Sequence, residues 1–367
     1  MYKKNLRTTL YLFIFLVTII VSINITVDPG LIYLKKIVTK QKSNEYITKL
    51  IHSDYGLSID GWNERVVKTT FAKKAGSYEC VILGSSEIMQ ISHIRKTGNI
   101  QKQCKSLLNL GVSGASLEDI FVFSNILLKN DELPKKVFIN IDAWTLKFNM
   151  DSSYSTYINE YTEIIQLLGI DDNIRTISYM NEVFKNLINW EYFFSSIDIL
   201  KEKKSKTFNY LTQQELAPTK PFKYSEGSTT SIILPDGAHI YNKKYLIQQK
   251  KNNQNIPMSK GDYKISGKIF DEEAVLYFEK LIEFYKNKNV EVSLVLIPYH
   301  PNVFKQGGTK PVQHMEKVNN LVLSMAKKYN LKVYGSYVPE ELGCNATEFL
   351  DIYHPTTDCL DKIDFSH

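Results

Sequence analysis

The chain is poor in cysteine, with four among 367 residues, and Cys80, Cys104, Cys344 and Cys359 show none of the close spacings of a zinc module. It has no basic, aromatic-interleaved module of the kind that binds nucleic acid. No internal repeat and no low-complexity tract interrupt it, so it reads as ordinary globular sequence. Charge of one sign is also scarce: the formal net value is +6. Lys35, Lys36 and Lys40 lie just beyond the first apolar segment, where they would meet anionic lipid heads or an anionic envelope polymer. A solvated lysine-rich surface accounts for the same charge. Nothing in the pattern calls for a metal or a cofactor.

What is present begins with that apolar segment. After Met1-Tyr2-Lys3-Lys4-Asn5-Leu6-Arg7 an uncharged stretch runs from about Thr8 to Thr26, close to the roughly 20 residues that cross a bilayer. The positive charges before it place the N-terminus in the cytoplasm and send everything after Asp28 to the outer face. The run is longer than a usual signal-peptide core, and Ser22-Ile23-Asn24-Ile25 lacks a small-x-small cleavage site. An uncleaved, single-pass anchor in the plasma membrane is therefore expected, with the bilayer as its first partner. The cysteines suit an oxidising compartment. Two disulfides are conceivable and four cysteines allow three connectivities; neighbouring parallel strands would bring Cys80 near Cys104, and buried free thiols are the alternative.

Along the rest of the chain, Cys80-Val81-Ile82-Leu83, Leu107 to Leu110, Val137 to Ile141, Val292 to Pro298 and Leu331 to Gly335 are short, mostly continuous apolar runs, as strands buried on both faces should be. Helical spacing separates most of them: Leu117, Ile120, Phe121, Ser124 and Leu128; Val275, Phe278, Leu281, Ile282 and Tyr285; Val318, Leu321, Val322 and Ala326. Strand and helix alternate, which predicts an α/β fold with a parallel sheet and helices on both faces. The organisation expected is an anchor over 1–30, a juxtamembrane connector over 31–75 with helical patterning from Ile37 to Ile51, and a catalytic domain over 76–367. An aromatic-rich insertion at about 150–261 breaks the alternation and is expected to pack as a mostly helical cap beside the site.

In an open parallel sheet, ligands bind beyond the carboxyl ends of the strands, so the residues just after each run are candidates to line a site. Those are Ser85 and Ser86, Gly111 to Ser116, Asp142 and Trp144, and His300. A serine hydroxyl needs a histidine to take its proton and a carboxylate to fix that histidine's tautomer. Two Asp-x-x-His strings compete for that role: Asp236-Gly237-Ala238-His239 in the insertion and Asp351-Ile352-Tyr353-His354 near the end. The second is preferred because it follows the last strand-like run. Ser116 fits the N-cap of the helix that follows it.

Gly84-Ser85-Ser86, Asn109 to Ser116 and Asp351 to His354 together resemble the SGNH (GDSL-type) hydrolase superfamily. The resemblance implies a flavodoxin-like three-layer sandwich around a central parallel sheet. It makes Ser86 the nucleophile at the start of a helix, His354 the base and Asp351 its orienting carboxylate, with the Ser86 and Gly114 N–H groups as the oxyanion hole. Where the family usually carries an asparagine, alignment by strand end puts Asp142, whose ionised carboxylate would repel an oxyanion. Asp142, Trp144, His300 and Ser85 remain candidate substrate-binding residues. The anchor, Val27-Asp28-Pro29, the Gly-Ser-Ser-Glu form of the first block and the insertion narrow the resemblance to membrane-anchored SGNH-like proteins of cell-envelope modification. That group includes the D-alanine transfer protein of teichoic acid synthesis and the alginate O-acetylation proteins.

The expected activity is serine-dependent O-acyl transfer or ester hydrolysis on an envelope polysaccharide or lipid-linked glycan, with a membrane-bound acyl-donor protein as a partner implied by the resemblance. A catalytically silent SGNH-like protein that binds glycan or assists assembly is the rival, with Asp142 as its argument.

Overall fold

Residues 2–27, 44–53, 56–57, 63–74, 78–130, 133–148, 152–172, 184–201, 231–253, 268–305 and 310–366 are described by the computed structural model. The strands are β1 (Cys80–Leu83), β2 (Leu107–Asn109), β3 (Lys136–Asn140), β4 (Ser231–Ile233), β5 (His239–Tyr241), β6 (Glu291–Leu296) and β7 (Lys332–Gly335). Five of them, the apolar runs of the sequence, form one parallel sheet in the order β2-β1-β3-β6-β7. The other two, β4 and β5, form a separate antiparallel hairpin. The central strands β1 and β3 are buried at every position, which is why they carry no alternating polar face.

The handedness of parallel crossovers decides which face each connection covers: the step from β1 to β2 runs toward one edge and the later steps run the other way, so they lie on opposite faces. Helices Leu117–Leu128, Glu272–Asn287 and Lys310–Tyr329 follow the later steps. Their Phe121, Phe278 and Val318 share one core with Val81, Val137, Ile139 and Leu294.

The opposite face departs from expectation. Between β1 and β2 the described chain forms only 3₁₀ turns, Ser86–Ile88 and Thr97–Lys102, and the C-terminal segment supplies Leu360, Ile363 and Phe365. These cover Cys80, Ile82, Phe138 and Val295. Lys96, Gly98 and Asn99 take φ of 57°, 52° and 58°, which breaks an α-helix at that point. The sheet therefore carries an α-helical layer on one face, and turns plus the one-turn helix Thr357–Leu360 on the other.

Part of the expected connector belongs to the folded domain. Helix Glu64–Lys74 buries Val66, Val67 and Phe71, and the Arg65 guanidinium grips both carboxylate oxygens of Asp119 at 2.7 and 2.8 Å. Asp119 also accepts the Ser116 N–H at 3.0 Å, closing the first turn of the Leu117–Leu128 helix. Leu57 exchanges backbone hydrogen bonds with Ile233 at 3.0 and 2.9 Å. Lys35, Lys36 and Lys40 lie outside the described residues.

The described residues of the insertion pack in three separate places. Helix Ile158–Leu167 packs on Leu117–Leu128, with the Tyr161 ring edge-on to Phe121. The β4–β5 hairpin closes the free edge of β2: Asn109 N–H donates to the Asp236 carbonyl at 2.8 Å, and the buried Lys68 ammonium donates to the Asn109 and Gly237 carbonyls. Gly237 sits at φ +80°, and a Cβ there would stand 2.4 Å from the Asn109 oxygen, so only glycine fits against that strand. Helix Trp190–Lys201 packs against the N-terminal helix Tyr2–Val27. The remainder of the polar run to Lys206 and the stretch through Pro218, Pro221 and Gly227 lie outside the described residues.

Leu6–Val27 is long and apolar enough to cross a membrane, with a mean hydropathy of 2.5. Both disulfides are formed, Cys80–Cys104 and Cys344–Cys359.

Candidate active site

Two residues separate Ser86 from the end of β1, and that short turn depends on Gly84. A Cβ at Gly84 would stand 2.5 Å from Asn140 Cβ, at φ +156°. Asn140 fills the space: its Oδ1 accepts the Ser85 N–H at 3.2 Å. The Ser85 hydroxyl is buried and accepts the Glu87 N–H at 3.2 Å, capping the 3₁₀ turn. Ser86 is left as the half-exposed hydroxyl of the pair. The turn is three residues long, so it contributes little of the helix dipole expected at this serine.

The second loop is stitched to the first. Val112 N–H donates to the Gly84 carbonyl at 3.1 Å, and Asn109 spends its side chain on the Ile88 and Ile91 carbonyls at 2.7 and 2.8 Å and on the Gly111 N–H at 2.8 Å. Gly114 lies in this loop at φ +61°. Among the described residues neither the Ser86 nor the Gly114 N–H donates a hydrogen bond.

The third contribution comes from the far end of the chain. His354 Nε2 lies 2.7 Å from Ser86 Oγ, and His354 Nδ1 lies 2.8 and 2.7 Å from the two Asp351 oxygens. Asp351 also accepts the Tyr353 and His354 backbone N–H groups at 2.8 and 2.9 Å. The Asp-x-x-His spacing is thus a turn whose first carboxylate caps its own backbone and orients the imidazole. Burial pushes Asp351 upward, but the His354 ring and the two N–H donors outweigh it and hold the carboxyl below its ordinary range. The loop is pinned at both ends: His300 N–H donates to the Ile352 carbonyl at 3.0 Å, Gln90 Nε2 to the Pro355 carbonyl at 2.9 Å, and Cys344–Cys359 brackets it.

The structure brings Ser86, Asp351 and His354 together, with Gly114 on the adjoining loop. It places Ser85, Asp142, Trp144 and His300 in buried positions around them. The His300 ring packs edge-on against Phe349, and burial lowers its pKa; Trp144 packs edge-on against Tyr353 at 5.8 Å. Asp236 and His239 do not reach Ser86. Asp236 accepts from Ser92 Oγ at 2.6 Å, and the His239 ring is buried, which drives its pKa well down. Burial also lowers the Lys68 ammonium to about 7 against the opposing charges of Glu64 and Asp236.

Asp142 has a partner the sequence did not reveal. Glu87 and Asp142 are both buried, and neither Glu87 oxygen nor Asp142 Oδ1 meets an N–H or hydroxyl donor among the described residues. The two carboxyl groups face each other. Burial first, then the neighbouring Asp142 carboxyl, then the Asp351 charge raise Glu87 well above its ordinary value. Other supporting residues were also missed. Asn140 was visible as the last residue of β3, but its contact with Gly84 depends on strand pairing. Gln90 carried no signal at all. Tyr241 and Tyr245 stack at 5.5 Å, and each feels the Asp351 charge.

Among the described residues no group of three or more His, Cys, Asp and Glu is placed to hold a metal ion. Comparison with protein-family models and with curated proteins finds no match for this chain.

Proposed function

We propose that the protein is a membrane-anchored serine O-acyltransferase or esterase of the SGNH type, with its folded domain outside the cytoplasm and an envelope polysaccharide or lipid-linked glycan as substrate. The observation that carries this reading is the continuous Ser86–His354–Asp351 relay, with serine-to-imidazole and imidazole-to-carboxylate distances of 2.7 Å. The strand order, with the first strand inside the second, supports a flavodoxin-like relationship. Two disulfides support an oxidising compartment, and with it the outward orientation.

In this reading His354 Nε2 takes the Ser86 proton as Oγ attacks an ester carbonyl, and the N–H groups of Ser86 and Gly114 receive the oxyanion. Collapse expels the alcohol, which regains the proton from His354, and leaves the acyl group on Ser86. A sugar hydroxyl or water then repeats the sequence in reverse. The stacked, half-buried Tyr241 and Tyr245 suit the apolar face of a sugar ring and would help exclude water, which favours transfer. The acyl group would come from a membrane-bound donor protein.

The test is to treat full-length protein in detergent with a serine-directed fluorophosphonate and to read intact mass. Wild type and Ser85→Ala should gain one label, Ser86→Ala none, and His354→Ala should label far more slowly. A folded wild type that takes no label overturns the enzymatic reading in favour of a silent glycan-binding protein.

A further inference from the structure

Among the described residues outside the N-terminal helix, eight large apolar side chains stand exposed. Leu167, Ile247, Leu276 and Leu323 are scattered, whereas Phe184, Ile188, Trp190 and Phe194, each 57 to 62 % exposed, fall within one stretch of eleven residues. Trp190 and Phe194 are four apart on one helix, with ring centroids at 6.1 Å. A concentrated aromatic surface of this kind is covered by something.

Asn24 indicates what covers it. It is fully buried, although the helix around it leaves Leu12, Phe13 and Phe15 about as bare as lipid-facing residues. Its Nδ2 donates to the Asn186 and Leu187 carbonyls at 3.2 and 3.0 Å, and its Oδ1 accepts the Ser196 hydroxyl at 3.4 Å. An amide in an apolar helix is costly in hydrocarbon unless its hydrogen bonds are made, and here the aromatic segment makes them. Helix Trp190–Lys201 is therefore clasped to the N-terminal helix at a set height.

That height is the edge of the bilayer. The 22 residues from Leu6 to Val27 span about 33 Å at 1.5 Å per residue, against a hydrocarbon core of about 30 Å. Asn24 is three residues from the end, within about 5 Å of it. Interfacial helices bury their apolar face about 5–10 Å into this boundary, and tryptophan with other aromatics marks it.

We infer that Phe184–Lys201 is a membrane-interface element, lying in the outer lipid boundary beside the exit of the N-terminal helix and holding the folded domain against the membrane surface. The inference rests on reading Leu6–Val27 as a bilayer span. A soluble partner or a second copy would have to occupy a surface already fixed at lipid depth.

The test uses the full-length chain in vesicles of phosphatidylcholine with brominated acyl chains. The chain has three tryptophans, Trp62, Trp144 and Trp190, and the Trp190 component is the difference between wild type and Trp190→Phe. Quenching of at least half of that component by bromolipid, with little quenching by aqueous iodide, is expected. A component quenched by iodide alone overturns the inference, and one shielded from both quenchers does so as well by showing a protein cover. Carbonate extraction separates the two readings: protein retained in the membrane with Trp190 unquenched refutes only the interface element, whereas protein released by carbonate refutes the span itself.

Discussion

Gln90 Nε2 donates to the Pro355 carbonyl at 2.9 Å, and both groups are buried. This bond ties the segment just after Ser86 to the residue just after His354, across a sequence separation of 265. Ser86 and His354 are thus held in register by a bond between their chain neighbours.

Gln90→Ala should therefore lower serine reactivity more than fold stability. Leaving the Pro355 carbonyl unpaired costs about 1–3 kcal/mol, while a small displacement of His354 slows proton transfer by about tenfold or more. Fluorophosphonate labelling rate and a thermal melt, measured on the same sample, separate the two effects.

Asp351→Asn should reduce the labelling rate about 10²–10⁴-fold, because the amide no longer fixes the imidazole tautomer. Its pH signature follows from a carboxyl held below its ordinary value of 3.8. Such a group stabilises the fold above that value, and the contribution is lost as pH falls through it and below. The melting difference between wild type and Asp351→Asn should be constant near neutrality and shrink only in strong acid.

Glu87→Gln reverses that sign. Glu87 binds its proton more tightly folded than unfolded, so its contribution is fully present below its ordinary value of 4.5 and declines as pH rises above it. Glutamine offers an amide donor toward Asp142 and carries no ionisation cost. The variant should gain melting temperature on wild type as pH is raised from 5 to 9, and a flat difference across that range would refute the upward shift of Glu87.

The Cys344–Cys359 bond closes a loop of 15 residues that contains both Asp351 and His354. Replacing both cysteines with alanine should cost about 3 kcal/mol by loop-closure entropy. It should also depress the labelling rate further than the same substitutions at Cys80 and Cys104, whose loop contains Ser86 but is also held by the side chain of Asn109. Paired melts and labelling rates of the two double variants decide this.

Much of the framework is legible in the order of the amino acids. All five strands of the parallel sheet and the three long helices on its main face lie where the apolar runs and helical spacings put them, because residues buried on both faces of a sheet leave an unbroken apolar signature. Gly-Ser-Ser and Asp-x-x-His are visible because tight turns and the side chains that cap them use few residue types at fixed spacings.

Other features exist only in three dimensions. The helix expected after β1 is replaced by two 3₁₀ turns, with positive φ at Lys96, Gly98 and Asn99, and the C-terminal segment packs on that face of the sheet. The choice of His354 over His239 depended on which Asp-x-x-His turn reached the carboxyl end of β1; His239 lies in the β4–β5 hairpin, where its backbone N–H donates to the Met89 carbonyl. The Glu87–Asp142 pair, the Gln90 tie and the Asn24 clasp join residues far apart in the chain. Periodicity and propensity report what neighbours along the chain do; contacts between distant segments are settled by the cooperative packing of the whole domain.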